Sequence, residues 1–177
     1  MIFDEIIGLE EVPEGEKVIY RKAVRAVIFN AKNQLVMVQV KEHEKDDYQN
    51  QFPGGGLEAG ESHLETLRRE ALEEAGIIIK EDVELLGVME ERRKSREVAD
   101  AYFVMKSTYY RCDVEAYTDQ QLEDYEKELG FIPIEIDIKE AYEKNVAILQ
   151  EQESKNPFTQ RDTFVLKSLL AKMKENG

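Results

Sequence analysis

Residues 54–77 read GGGLEAGESHLETLRREALEEAGI. Three consecutive glycines open this stretch, and backbone that carries no side chains can approach a ligand closely. Ser62 and Glu65, three residues apart, form a capping box, which predicts the start of a helix. Gly76 stands where a glycine commonly ends one. The pattern therefore predicts a helix from about His63 to Ala75.

The predicted helix carries its apolar and its acidic side chains on different faces. At about 100° per residue, the apolar residues share one narrow face that we expect to be buried: Leu64, Leu67, Ala71 and Ala75. Glu70, Glu73 and Glu74 gather on the other side, where like charges three and four residues apart repel one another. A divalent cation would neutralise them, and Mg²⁺ and Mn²⁺ prefer oxygen ligands. The alternative is a solvated acidic face, but such a face needs no open backbone beside it.

With these residues in place, the stretch resembles the Nudix box, the signature of the Nudix hydrolase family. The box is a glycine, a glutamate and then Arg-Glu-apolar-any-Glu-Glu-any-Gly-apolar at fixed spacing. Every position is matched, by Gly55, Glu61, Arg69, Glu70, Ala71, Glu73, Glu74, Gly76 and Ile77. The resemblance implies an α/β (α+β) fold with a mixed β-sheet sandwiched between α-helices. It also implies a metal-dependent hydrolase that cleaves a nucleoside diphosphate linked to another group.

The resemblance implies roles for single residues as well. The expected ligands of Mg²⁺ or Mn²⁺ are a backbone carbonyl, of Gly54 or Gly55, together with Glu70, Glu73 and Glu74. The expected catalytic residues are Glu73, Glu70 and Arg69, with Glu73 as the general base and Arg69 orienting it. In some family members the base lies downstream, and the candidates there are Glu90, Glu91, Glu97 and Asp100. Glu61 is expected to brace the loop.

Composition limits the class of protein. The 177 residues are 42% hydrophobic and 35% charged, which suits a single domain over residues 1–177. A net charge of −14 argues against nucleic-acid polymers as partners, because they bind basic surfaces. The same charge repels a phosphorylated small molecule unless a cation reverses the local field. No apolar run is long enough for a bilayer, and the acidic N-terminus and lone Cys112 predict a cytoplasmic protein.

Hydrophobic alternation and periodicity predict mixed α and β structure around the box. The expected strands are Val18–Phe29 and Leu35–Val40, which form a hairpin, and then Glu84–Glu90, Ala101–Val114 and Gly130–Ile138, with Tyr48–Pro53 extended before the glycines. Asp119–Leu129 is expected to be a polar helix or a loop. Helices are predicted from Ile138 onward and over about Gln160–Lys174. Residues 1–17 are expected to add an edge strand or to contact a partner chain, which would make a homodimer.

Several residues outside the box are candidates for substrate binding. Arg92 and Arg93 belong to a basic connection between two strands, which could hold phosphates or could simply be a solvated loop. Phe52 could stack on a nucleobase, although an aromatic residue that ends a strand is more often core. Phe158 is a weaker candidate of the same kind. We expect His43, in the charged loop 41–47, and His63 to be surface residues, and Cys112 to be buried in a strand.

The substrate follows only by elimination. The proline that the family's ADP-ribose hydrolases carry after the box is absent, since the chain has none between Pro53 and Pro133. The tags of the diadenosine polyphosphate, coenzyme A and NADH subfamilies are also missing. A (deoxy)nucleoside triphosphate, oxidised or not, is therefore slightly preferred, with ADP-ribose or a nucleotide sugar as the alternative. A non-catalytic nucleotide sensor of the same fold is expected to lose box carboxylates, and this chain has kept them all.

Overall fold

The computed structural model describes residues 1–41, 48–151 and 157–175. Its strands are β1 (Phe3–Gly8), β2 (Lys17–Phe29), β3 (Leu35–Lys41), β4 (Tyr48–Gln51), β5 (Ile77–Ile79), β6 (Glu84–Lys94), β7 (Ala101–Tyr117) and β8 (Ile132–Ile136). Its helices are α1 (His63–Ala75), α2 (Asp124–Glu128), α3 (Ile138–Glu151) and α4 (Pro157–Glu175).

The strands form one mixed sheet with the order β1-β6-β7-β2-β3-β4. β2 pairs with β7 in parallel, as β1 does with β6, whereas the other pairings are antiparallel. β5 adds to β7 and β8 adds to β3 off this path. The N-terminal β1 therefore lies at one edge of the sheet.

Helices cover both faces of the sheet. Successive side chains of a strand point to opposite faces, so each strand contributes to two cores. On β2, Val24, Ala26 and Ile28 belong to a core shared with Leu67, Ala71 and Ala75 of α1. Val27 and Phe29 belong to a second core that includes Ile138 and Ala141 of α3 and Val165, Leu166 and Leu169 of α4. The predicted α+β fold, a mixed sheet between helices, is confirmed.

The helix of the box begins and ends where its caps predict. The Ser62 hydroxyl accepts a hydrogen bond from the Glu65 amide, and the Glu65 carboxylate accepts one from the Ser62 amide. Gly76 ends the helix with a φ of 64°. The face opposite the apolar stripe is not solvated, however, because Glu70 and Glu74 are buried. The alternative of a solvated acidic face is therefore wrong for these two residues.

Two strands are longer than their sequence pattern indicates. β6 and β7 stay paired as far as Lys94 with Tyr102 and Arg92 with Val104. The basic residues that we expected in a connection therefore lie in β6, because inter-strand hydrogen bonds override their weak strand propensity. The predicted loop 41–47 with His43 lies outside the described residues, apart from Lys41 at the end of β3.

Gly76 should be less tolerant of a side chain than Gly130, although both have a φ of 64°. A Cβ atom at residue 76 would lie 2.4 Å from the Thr118 carbonyl oxygen, whereas one at residue 130 meets nothing within 4 Å. We expect Gly130→Ala to lose about 1 kcal/mol of unfolding free energy through backbone strain alone. Gly76→Ala should lose about 1–3 kcal/mol more, from the added steric clash. Urea unfolding measures both, and equal losses would contradict the role of the Thr118 contact.

Candidate metal centre

Three buried carboxylates meet beneath the glycine loop. Glu70 and Glu74 lie one turn apart on α1, and Glu126 comes from α2. Each offers an oxygen within 4.8 Å of the other two. Their residues are 7%, 7% and 1% exposed. Glu126 could not be predicted from the sequence, because α2 is one short polar turn with no pattern that distinguishes one of its acids from the next.

The segment between β7 and α2 brings Glu126 to the site by running along the C-terminal end of α1. The Thr118 amide donates to the Gly76 carbonyl at 2.8 Å, and the Gln121 amide donates to the Glu73 carbonyl at 3.0 Å. Within α2, the Glu126 carboxylate accepts from the Glu123 amide at 2.8 Å and from the Tyr125 hydroxyl at 2.9 Å. These bonds fix the orientation of the Glu126 carboxylate.

The glycine loop touches the cluster through its backbone. The Gly54 amide donates to Oε2 of Glu74 at 2.9 Å. A Cβ atom on Gly55 would lie 2.2 Å from Oε1 of Glu70, so a side chain there would have to displace the Glu70 carboxylate from the cluster. The carbonyls expected as metal ligands face β2 instead. Gly54 accepts from the Arg25 guanidinium, and Gly55 accepts from the Val24 amide at 3.0 Å. Coordination by the Gly54 carbonyl would place a cation beside Arg25, and that ligand stays a prediction.

Burial changes the acidity of the two cluster carboxylates on α1. Burial, and then the charge of Glu70, raises the pKa of Glu74 to about 8. Burial also raises the pKa of Glu70, although Arg69 opposes the shift. Buried like charges are unfavourable unless a counterion compensates them. An all-oxygen donor set of this kind fits Mg²⁺ or Mn²⁺.

Arg69 connects the loop to the remaining box glutamates. Its guanidinium donates to Glu61 and Glu70 at 2.8 Å and to Glu73 at 3.2 Å. The hydrogen bonds from Arg69 lower the pKa of Glu61 to about 2. Glu73 thus lies against Arg69, as expected, but it is not a member of the three-carboxylate cluster. Its predicted roles as metal ligand and general base stay predictions.

One member of the cluster, Glu74, lines a cavity of about 720 Å³. The lining includes Glu74 and the loop glycines on one side. Arginines and large apolar residues contribute further surface: Arg21, Arg25, Arg93, Phe103, Met105 and Phe158. Glu91 and Glu97 also line the cavity, whereas Glu90 pairs with Arg92 at 2.7 Å outside the lining. Asp100 is not in the lining either, so two of the four downstream acids remain near the site.

Phe52 cannot stack on a substrate. Its residue is 1% exposed and packs edge-to-face against Tyr109, with ring centroids 5.9 Å apart. The prediction of Phe52 as a substrate contact is wrong because the chain places this side chain in the core beneath α4. Phe158 of α4, the weaker candidate, lines the cavity and is 39% exposed.

Arg92 and Arg93 point to opposite faces of β6. The Arg93 guanidinium lies 4.2 Å from the centre of the Phe103 ring, pairs with Glu91 at 2.8 Å and lines the cavity. Arg92 donates to the Glu10 carbonyl and pairs with Glu90. The prediction for Arg92 is wrong, because strand alternation turns it away from the cavity that Arg93 reaches.

The sequence also predicted the degree of burial of His63 and Cys112. His63 is half-buried rather than a surface residue, and its Nδ1 lies 2.8 Å from the Tyr110 hydroxyl. Cys112 is buried in β7, which confirms its expected place.

Comparison with known proteins agrees with this geometry. A model of the NUDIX domain matches residues 19–152. The chain belongs to the Nudix family. As a member, it is a hydrolase that acts on phosphorus-containing anhydrides.

Solved structures of this fold are similar at low identity. A NUDIX hydrolase from Nitrosomonas europaea is 21% identical, with a TM-score of 0.59 and coverage of 85% of this chain and 88% of that one. An ADP compounds hydrolase is 19% identical, with a TM-score of 0.59 and coverage of 89% and 75%. The ORF135 protein of E. coli is 17% identical, with a TM-score of 0.50 and coverage of 91% and 94%. None of the curated proteins matches the chain. At these identities the likeness concerns the fold.

None of the helices in the described ranges has the length and apolar character that a membrane crossing requires.

The raised pKa of Glu74, about 8 against an ordinary value of 4.5, predicts how metal binding depends on pH. Below pH 8 the folded, metal-free protein keeps this carboxyl protonated, so a cation must displace the proton. We expect the dissociation constant for Mn²⁺ to fall by up to about tenfold per unit from pH 6 to 8 and then to level off. Without metal, stability should decrease as the pH rises from about 4.5 to about 8.

Calorimetric titration with Mn²⁺ at pH 6, 7, 8 and 9 measures this dependence. Glu74→Gln is the control, because it keeps the shape of the side chain and removes its titration. An affinity that stays constant between pH 6 and 8 in the unmodified protein would contradict the assignment.

Proposed function

We propose that the protein is a pyrophosphohydrolase that depends on Mg²⁺ or Mn²⁺ and cleaves a nucleoside diphosphate linked to another group. The observation that carries this proposal is the set of three buried carboxylates beside the glycine loop, of which Glu74 lines the cavity. Divalent cations bound there would neutralise phosphate oxygens and activate water for attack at phosphorus. Membership of the Nudix family supports the same chemistry.

Metal binding and proton abstraction are assigned to different residues. Glu70, Glu74 and Glu126 would hold the cation, because their oxygens converge and are shielded from water. Glu73 would act as the general base, with its carboxylate held by Arg69 at 3.2 Å. The Gly54 amide holds Glu74 in place. Glu91 and Glu97 remain the alternative bases, since both line the cavity.

The preferred substrate is a (deoxy)nucleoside triphosphate, oxidised or not. Arg21, Arg25 and Arg93 line the same cavity as Glu74, which suits a substrate with further phosphate groups. Arg21 is exposed at the side of this cavity. ADP-ribose and nucleotide sugars remain the alternative, and one structure of the same fold is described as an ADP compounds hydrolase.

A Nudix-fold sensor that binds nucleotide without turnover is the competing function. The intact set of box carboxylates favours the enzyme. We further propose that residues 1–177 form one domain, since β1 and α4, which lie outside the family match, supply Phe3 and Leu166 to one core. The cytoplasmic location and the homodimer stay predictions.

The test of the reaction is release of phosphate or pyrophosphate across a panel of nucleotides with Mg²⁺ or Mn²⁺. Glu73→Gln should lower turnover by about 100-fold, as expected for a general base. Glu126→Gln should weaken Mn²⁺ binding by at least about tenfold, as expected when a metal site loses a supporting residue. Glu128→Gln, on the same helix and exposed, is the matched control and should change neither.

The outcomes separate the roles of the two acids. Unchanged turnover in Glu73→Gln would remove Glu73 from the mechanism and leave Glu91 and Glu97. Equal Mn²⁺ affinity in Glu126→Gln and Glu128→Gln would exclude Glu126 from the metal site. Binding without turnover of any nucleotide would favour the sensor.

Substitutions of the neighbours Arg92 and Arg93 test whether the cavity wall at Arg93 binds substrate. Arg93→Gln should raise KM about tenfold, because a charge-assisted contact with the substrate is lost. Arg92→Gln should leave KM unchanged, since Arg92 faces Glu10 and Glu90. Steady-state kinetics with the best substrate of the panel measures both. The same KM in both variants would show that the cavity wall at Arg93 does not bind substrate.

A further inference from the structure

Side chains from two helices form hydrogen bonds with the backbone at one edge of β4, where a further strand would otherwise pair. On one side β4 pairs with β3, with Asn50 opposite Gln39. On the other side, Asn145 of α3 accepts from the Asn50 amide at 3.2 Å and donates to the Asn50 carbonyl at 3.0 Å. Two residues further on, Asp162 of α4 accepts from the Phe52 amide at 3.0 Å. The helices thus hold the strand that leads into the glycine loop.

Asp162 is the centre of this arrangement. Its residue is 0% exposed. Besides the Phe52 amide, its carboxylate accepts from the Tyr109 hydroxyl at 2.8 Å and from Nε of Arg161 at 3.3 Å. A carboxylate can accept all three donors, whereas an asparagine would have to turn an NH₂ group toward one of them. These three donors explain why residue 162 is an acid. Substrate cannot contact the buried Asp162 carboxylate.

The Phe52 peptide lies next to the loop that contacts the metal cluster. Pro53 follows it, with its carbonyl bonded to the Ala26 amide at 2.8 Å, and the Gly54 amide then meets Glu74 at 2.9 Å. A displacement of Phe52 would move the Gly54 amide relative to Glu74. Displacements of about 1 Å at such a site can cost about 100-fold in rate.

We infer that Asp162 is a positioning residue for the metal centre: from α4 it fixes the Phe52 peptide, so that the Gly54 amide holds Glu74 beside Glu70 and Glu126. The inference rests on the proposed function of the same site. Residue 162 lies beyond residues 19–152, to which the family match is limited.

The test compares Asp162→Asn with the unmodified full-length protein. Mn²⁺ affinity, measured by calorimetry or by electron paramagnetic resonance without substrate, should weaken by about 10–100-fold. Turnover should fall with it, while KM at saturating metal stays within about twofold of the unmodified value, because Asp162 does not touch the substrate. Because a loss of folded protein would also lower kcat at an unchanged KM, the deciding readout is the Mn²⁺ dissociation constant, which does not depend on the fraction of folded protein.

Asn145→Ala is the matched control. It also removes buried hydrogen bonds to β4, but at Asn50, two residues further from the glycine loop. Urea unfolding measures the free energy of unfolding of both variants, so that their losses of stability can be compared. Retained Mn²⁺ affinity in Asn145→Ala, beside a loss in Asp162→Asn, supports the inference. An equal loss in both would reduce Asp162 to general support of β4 and overturn it.

Tyr109→Phe covers the case in which Asp162→Asn does not fold. It removes one donor to the Asp162 carboxylate and keeps the ring in the core. We expect a smaller weakening of Mn²⁺ binding, of about two- to fivefold, since a single neutral hydrogen bond is lost. Unchanged affinity in Tyr109→Phe, or in folded Asp162→Asn, would overturn the inference. If the unmodified protein itself bound no Mn²⁺, the proposed function would fail as well, which separates the two failures.

Discussion

Repulsion among three buried carboxylates is the constraint on which the site depends. Glu70, Glu74 and Glu126 offer oxygens within 4.8 Å of one another, and burial removes the water that would screen them. Burial, and then the charge of Glu70, raises the pKa of Glu74 to about 8, which shows that a charged carboxylate is unfavourable there without a counterion. A fold that gathers such groups without compensation would lose stability, so the cluster favours a bound divalent cation.

The glycine loop makes the cluster possible. At Gly55 a Cβ atom would occupy the position of the Glu70 carboxylate, and at Gly54 the amide is the hydrogen-bond donor that holds Glu74. The loop in turn depends on its surroundings. β2 holds its carbonyls, and α4 holds the Phe52 amide before it through Asp162. A local motif is thus held by hydrogen bonds from β2 and from α4, which are distant from it in the chain.

The cavity combines opposite charges in an acidic protein. The net charge of −14 repels phosphorylated molecules at a distance. Close to the site, Arg21, Arg25 and Arg93 add positive charge near the carboxylates. Binding of an anionic substrate would therefore depend on short-range contacts and on cations, rather than on long-range attraction.

α1, its two caps and the Nudix motif could be predicted from the sequence, because they rest on residues close in the chain. Which acids meet depends on contacts between distant parts of the chain. Glu126 joins the cluster through a segment that runs along the end of α1, and Glu73 turns to Arg69. Phe52 is buried and Arg92 faces away from the cavity for the same reason. Strand pairing and helix docking place these side chains, and no local pattern encodes contacts between residues so far apart in the chain.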